Sequence, residues 1–337
     1  MKAAVFYGKG DIRYEDVAKP VPGPGEVLIE VKASGVCGTD LHIFSGAEGA
    51  TECEPPVILC HELAGIVTEI GEGVTRVRPG DHVTVDPNIS CGSCRMCRDG
   101  KPHFCDSMTA TGVNHNGGFA EYCKVLEKQV FVLPENLPFE EGAMCEPVSC
   151  CIHGMDMCGI RSGDTVMIIG GGTIGLIMLQ LSRMTGATTV ILTDTNDQRL
   201  SLGKTLGADV CINPVREKVE EVLERSGITA PDCVIECVGR GSTCQDAIRY
   251  AGKGATVMIF GLTPPDCSIP FLPFEAFRKE LTIRTSFVNP QTQGRAVRIV
   301  ASGKLRLKEL IGERIPLKEI HRAFDGHMAG GKMVIIP

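Results

Sequence analysis

The pattern of apolar and polar positions changes near the middle of the chain. Up to about residue 145, short runs alternate between the two kinds. "GEVLIEVKASG" (25–35) places Val27, Ile29, Val31 and Ala33 on one face, at the two-residue period of a half-buried strand. "AGIVTEIGEGVTRVRPGDHVTVDP" (64–87) reads as short strands broken by Gly and Pro, and "GGFAEYCKV" and "VFVLP" continue the rhythm. This punctuation predicts an all-β barrel rather than βαβ units. From about residue 164 the rhythm is different. Apolar, β-branched runs lie at 165–170, 188–194, 209–213, 232–238, 255–261 and 281–287. Helix-compatible segments such as "NDQRLSLGKTLG" and "VREKVEEVLERSG" lie between most of them. Six such strands predict a doubly wound parallel sheet, an α/β architecture. Past about 288 come helix-like stretches at "TQGRAVRIVASG" and 317–329, then a last strand in "KMVIIP".

Composition narrows the classes. A length of 337 residues suits about two domains, and 43% apolar with 22% charged residues is a globular balance. The net charge is −7 and no basic block occurs, which argues against a nucleic-acid partner. The first residues, "MKAAVFYGKGDIRYEDV", lack the apolar core of a signal peptide. The longest uncharged run lies between Asp164 and Arg183. It contains Gly170, Gly171, Gly172 and Gly175 and reads as strand, turn and helix rather than a membrane span. A soluble, cytoplasmic protein without a membrane partner is expected. Seventeen cysteines in such a chain suggest metal ligands and buried thiols before disulfides.

Four of those cysteines, Cys91, Cys94, Cys97 and Cys105, are spaced C-x2-C-x2-C-x7-C. Closely spaced thiolates in tight turns can aim at one point, and Gly92 and Gly100 permit the bends. A closed four-thiolate shell suits a structural zinc. An iron–sulfur cluster and an unliganded set of thiols are the rival readings. Upstream, Cys37, His61 and Glu62 offer a thiolate, an imidazole and a carboxylate. Three protein ligands with an open fourth position describe a catalytic zinc site; a lone His or Cys is more often core than ligand, and it is their joint appearance with the four-cysteine loop and a dinucleotide motif that reverses this.

"TVMIIGGGTIG" ends a strand with Gly170-x-Gly172-x-x-Gly175 and opens an apolar helix. The glycines allow a tight turn, close approach of a pyrophosphate and close helix–strand packing. Asp194 ends the next strand, where a carboxylate accepts the ribose hydroxyls and repels a 2′-phosphate. That favours NAD over NADP. Arg199 complicates the point, since its guanidinium could welcome phosphate; with Asp194 in place it is expected over the adenine. The plainer alternative is a helix-capping Asp and a surface Arg.

Taken together, C-G-T-D-x-H (37–42), H-E-x-x-G (61–65), G-D-x-V (80–83), the four-cysteine loop, "EPVS" (146–149) and the glycine motif resemble the zinc-dependent medium-chain dehydrogenases/reductases over the whole chain. The polyol (sorbitol/L-iditol) and L-threonine dehydrogenases are the branches it is most similar to. The resemblance implies a GroES-like β-barrel catalytic domain, 1–147 with 288–337, and a Rossmann coenzyme domain, 148–287. It implies Cys37, His61 and Glu62 as catalytic zinc ligands, with Glu146 near the metal directly or through water. It implies Thr39 and His42 as a proton relay, and NAD contacts from Ile174, Asp194, Arg199, Phe260, Gly261, Leu262, Ser286 and Phe287. Two zinc ions per chain and a homo-oligomer, tetramer or dimer, are part of the same expectation. The expected reaction oxidises a secondary hydroxyl of a polyol or polyol phosphate. L-Threonine and 2,3-butanediol are the alternative substrates, and a non-catalytic scaffold and a zinc-free quinone reductase are rival classes. One position departs from the family: Cys60 stands where a glycine usually precedes the zinc histidine. Its thiol is either a further ligand or a buried replacement without consequence.

Overall fold

The computed structural model describes residues 1–47, 52–325 and 330–337. The chain divides into two compact units, Met1–Ser149 with Asn289–Pro337, and Cys150–Val288.

The first unit is built on one long strand, Glu26–Gly35, which pairs antiparallel with Glu62–Ile70, Tyr122–Leu126 and Lys332–Ile336. The sheet continues through His82–Val85 to Val130–Val132 on one side and through Ile311–Pro316 on the other. A separate three-stranded sheet joins Lys2–Gly8, Asp11–Asp16 and Val57–Ile58. The alternation read from the sequence has a direct consequence. Val27, Ile29 and Val31 share a core with Leu63, Val67, Val83, Val85, Val125 and Val130. Each such side chain contributes roughly 1.5–3 kcal/mol by leaving water. The register sets the residues that matter below. Gly35 at the end of the long strand is opposite Glu62 on one neighbour and Val334 on the other.

The second unit is a six-stranded, all-parallel sheet. Its spatial order is Val210–Ile212, Thr189–Thr193, Thr165–Ile169, Cys233–Glu236, Thr256–Ile259, Thr282–Thr285. All six expected strands are present, and the order reverses after the strand that carries the glycine motif, as in doubly wound folds. Between the strands lie Thr173–Thr185, Asp197–Thr205, Val219–Arg225, Gly241–Tyr250 and Pro273–Lys279. The Asn196 side chain caps the second of these, accepting from Gln198 N and Arg199 N. The stretch expected from Val215 becomes helical only at Val219, because Asn213 draws Val215 N into a turn after Pro214.

The last strand and its preceding helix differ from the rest of this sheet. From Gly261 to Val288 no residue is buried. The helix Pro273–Lys279 was not anticipated from the sequence, since "PFEAFRK" carries no apolar stripe against a core. Of the helix-like stretch expected at 317–329, Leu317–Ala323 forms 3₁₀ turns and 326–329 lie outside the described residues.

Candidate active site

Cys37, His61 and Glu62 come together in the first unit. One ligand atom from each lies within 4.8 Å of the others. Cys37 caps the short helix Gly38–Phe44, and His61 and Glu62 sit where the chain enters the strand Glu62–Ile70. His61 and Glu62 are buried and Cys37 is half-buried. Two orphaned polar atoms mark the site: His61 Nδ1 and Asp40 Oδ1 lack hydrogen-bond partners, 3.9 Å apart. Burial alone would make His61 less basic. The Cys37 thiol, Asp40 and Glu146 outweigh it and hold the imidazole well above its ordinary pKa. A buried set of soft and hard donors that concentrates negative charge on one point fits a divalent cation with nitrogen, sulfur and oxygen ligands.

Asp40 was not singled out in the sequence although it lies inside C-G-T-D. It is fully buried, accepts from Cys37 N at 2.8 Å and faces the His61 ring. Burial raises its pKa against the pull of His61. Lys332 was also missed. Its Nζ lies 2.6 Å from Glu62 Oε1, with both side chains almost sealed from solvent. Burial works against the lysine charge, but Glu62, Cys37 and Glu146 outweigh it and raise its pKa. Glu146 is buried in the first turn of the helix Cys145–Cys158 and adds to the field at both His61 and Lys332. Thr39 and His42 stand three apart on the helix Gly38–Phe44, on one face of it.

The other four cysteines form a second cluster, with their sulfurs within 4.8 Å of one another. Backbone amides aim at them. Cys94 N and Ser93 N donate to Cys91 Sγ, and Cys91 N donates to Cys105 Sγ. Gly92 and Gly100 take the left-handed conformations that this winding requires.

In the second unit the expected coenzyme residues lie just after the C-terminal ends of the parallel strands or in the first turn of the helices that follow. Gly170 turns at φ 103°, and the helix Thr173–Thr185 follows, with Ile174 in its first turn. A Cβ on Gly175 would meet Gly170 O at 1.8 Å, whereas nothing lies within 4 Å of the place a Cβ would take on Gly172. Helix and strand are therefore packed to contact beside an open cradle. Asp194 accepts from Gly171 N and Asn196 N, both at 2.7 Å, and Arg199 Nη1 is 3.7 Å from its carboxylate. Phe260, Gly261 and Leu262 follow one strand, and Ser286 and Phe287 another. Sequence reasoning missed Glu236 on the same edge. Fully buried, it accepts from Val238 N, Gly239 N and Thr243 Oγ1, and its main-chain carbonyl accepts from Phe260 N and Gly261 N.

Both units resemble known proteins. Residues 23–135 match the alcohol dehydrogenase GroES-like domain, and residues 173–302 match the zinc-binding dehydrogenase domain. A sorbitol dehydrogenase of Gallus gallus is 33% identical over 329 residues, covering 96% of this chain and 92% of that one. An L-threonine 3-dehydrogenase of Caldanaerobacter subterraneus subsp. tengcongensis is 36% identical over 332 residues, covering 95% and 94%. The chain belongs to the zinc-dependent medium-chain dehydrogenase/reductase superfamily. Among solved structures, a protein assigned as a zinc-binding dehydrogenase of Sinorhizobium meliloti 1021, bound to NADP, is 39% identical with a TM-score of 0.95. The match covers 100% of this chain and 99% of that one.

Against the family pattern, the Cys60 position has a physical account. Its φ is 83°, a left-handed value that favours glycine and costs a side chain on the order of 1–2 kcal/mol. The corner is tight, since a Cβ on Gly112 or Gly117 would come within about 2 Å of Cys60 O: 2.1 and 2.0 Å. The buried thiol turns to the carbonyls of Gly35 and Glu62, at 3.5 and 3.4 Å, and lies outside the Cys37–His61–Glu62 set. Burial, then Asp40 and Glu62, push its pKa far up, so it stays a neutral donor.

The four-cysteine cluster generates a pH prediction. Hydrogen bonds from Ser93, first its hydroxyl and then its amide, with Cys94 N, bring Cys91 down to about 6, while burial and the Cys94 thiol push Cys97 up to about 11. A depressed pKa means that the help these donors give is present at high pH and is lost as pH falls through about 6. In metal-stripped protein, Cys91 should therefore be the first of the four to react with iodoacetamide, with a midpoint near pH 6, and added zinc should protect it. Peptide mapping that shows four equal midpoints in the ordinary thiol range would contradict this.

Proposed function

We propose that the chain is a zinc-dependent NAD oxidoreductase that oxidises a secondary hydroxyl of a polyol or polyol phosphate to a ketone. The observation that carries this is the convergence of Cys37, His61 and Glu62 at one buried point. The third donor is a carboxylate, with Glu146 close enough to add to the field. Such a site is more anionic and polar than one with two thiolates, and suits a substrate with several hydroxyls. The absence of Trp and the 5% aromatic content also speak against a broad slot for aromatic or long-chain alcohols. Similarity to a sorbitol dehydrogenase supports the polyol reading, and similarity to an L-threonine 3-dehydrogenase supports the second, an amino alcohol, with a 2,3-butanediol-type diol as the remaining alternative.

In this reading residues 1–147 with 288–337 form the catalytic domain and 148–287 the NAD-binding domain. Cys37, His61 and Glu62 hold one zinc, with Glu146 beside it, and Cys91, Cys94, Cys97 and Cys105 hold a structural one. When bound, the first zinc supplies a Lewis acid that makes a hydroxyl easier to deprotonate, and NAD supplies the hydride acceptor. Thr39 takes the hydroxyl proton and His42 passes it towards solvent. The cradle at Gly170, Gly172 and Gly175 receives the pyrophosphate at the N-terminus of a 13-residue helix. Asp194, already fixed by two backbone amides, presents its carboxylate to the ribose. Ile174, Arg199, Phe260, Gly261, Leu262, Ser286 and Phe287 complete the coenzyme contacts. Although a similar protein was solved with NADP, a carboxylate so placed favours NAD.

The chain is also proposed to work in the cytoplasm as a homo-oligomer, a tetramer or a dimer. Buried cysteines such as Cys60, Cys123 and Cys244 remain thiols, as a reducing compartment allows. Leu262, Leu272, Phe274 and Phe277 are 60%, 59%, 70% and 78% exposed beside the open edge of Thr282–Thr285. Parallel sheets are normally covered, and an edge strand can pair antiparallel with its own copy across a two-fold axis. Sedimentation at the mass of a monomer, 36.1 kDa, at micromolar concentration would contradict this part.

The substrate reading is tested by a panel: sorbitol, xylitol, arabitol, galactitol and their phosphates, L-threonine, 2,3-butanediol and ethanol, each with NAD and with NADP. A polyol or its phosphate should give the highest kcat/KM, with NAD preferred, and a chelator should abolish turnover. L-Threonine or the diol in first place selects the second reading. Ethanol in first place contradicts both, and an NADP preference contradicts the role given to Asp194.

A further inference from the structure

Lys332 is a buried charged group beside Cys37, His61 and Glu62 that the proposed reaction does not use. It reaches Glu62 from the last strand, 270 residues away in sequence. Its Nζ is 2.6 Å from Oε1 and is also paired with Oε2, and the two side chains are 7% and 1% exposed. Burying an ammonium is costly unless the partner needs it. A carboxylate that gives its lone pairs to a divalent cation has no such need, and two cations drawn to one carboxylate repel each other.

The room for the pair is built into the sheet. A Cβ at residue 35 would lie 2.2 Å from Glu62 Oε2 and 2.8 Å from Lys332 Cε. Gly35 has no left-handed φ, so its glycine serves space rather than backbone conformation. The register delivers the three residues to one place, since Gly35 is opposite Glu62 on one side and Val334, two residues beyond Lys332, on the other. Cys37 and Glu146 add to the negative field at Lys332.

We infer that Lys332 is a positioning residue that competes with the metal for Glu62, so that the carboxylate is a ligand the site can release. The inference rests on the reading of Cys37, His61 and Glu62 as a metal site. With Lys332 in place, Glu62 shares its charge between two cations and holds the metal less firmly, leaving it more attractive to a substrate oxygen. Without metal, Lys332 keeps the buried carboxylate compensated and the site folded. A neutral side chain at 332 removes the competitor and that compensation together.

The test is a zinc titration against a chromophoric chelator for the wild type, Lys332→Met and Lys332→Gln. Each is read as the difference from a His61→Ala chain, which retains the four-cysteine loop. Both neutral variants should bind zinc at this site roughly tenfold tighter or more. Their metal-free forms should also melt further below their zinc-loaded forms than in the wild type. Loading with zinc before purification keeps a variant measurable if its metal-free form does not fold. Unchanged or weaker binding in both variants overturns the inference, because a lysine that merely fills space or fixes Glu62 for the metal predicts that result. Equal zinc content in the wild type and His61→Ala overturns the metal-site reading first, and this inference with it.

Discussion

Residue 35 has no room for a side chain while the buried Glu62–Lys332 pair stays where it is, and that constraint ties the end of the long strand to the candidate metal site. Gly35 ends the long strand on which the sheet is built, and the space above it holds the carboxylate of Glu62 and the stem of Lys332. The strand before it comes from the start of the chain and the strand beside it from the end. The buried charge pair therefore joins sequence-distant segments, and the same carboxylate faces Cys37 and His61. Backbone pairing alone would bring these strands together. The pair adds a penalty for any register that separates the two charges, because each would be buried without a partner.

The second unit obeys a simpler constraint. In an all-parallel sheet every strand ends on the same edge, so residues scattered from 170 to 287 gather there without any designed contact between them. Two carboxylates fasten that edge. Asp194 ties the glycine turn to the next strand, and Glu236 ties its own loop while its carbonyl holds Phe260 and Gly261. An edge fastened in this way beside an open cradle at Gly172 would have its geometry set before a dinucleotide bound, which would lower the ordering cost of binding.

What the sequence disclosed follows from how local each signal is. The six strands of the parallel sheet are continuous apolar runs separated by helices, so periodicity alone located them. The four-cysteine loop and the glycine turn have fixed short spacings, and the structure brings the members of each together; Cys37, distant in sequence from His61 and Glu62, was joined to them through the family pattern, and the structure brings these three together as well. Asp40 lay inside a recognised motif, but the pattern does not say that its side chain turns inward beneath His61. Lys332 had no local signal, since a lysine at the start of an apolar strand is ordinary and its partner is 270 residues away. The helix Pro273–Lys279 was missed for a different reason. Its apolar residues face solvent in the single chain, so they produce no core-facing stripe to read.

The central claim is that one metal is held by Cys37, His61 and Glu62 and a second by the four-cysteine loop. Elemental analysis of protein purified without chelator tests it most directly when a folded His61→Ala variant is measured in parallel. The account predicts two zinc ions per chain in the wild type and one in the variant, with circular dichroism unchanged. One zinc or none in the wild type, or no loss of zinc in His61→Ala, would contradict it.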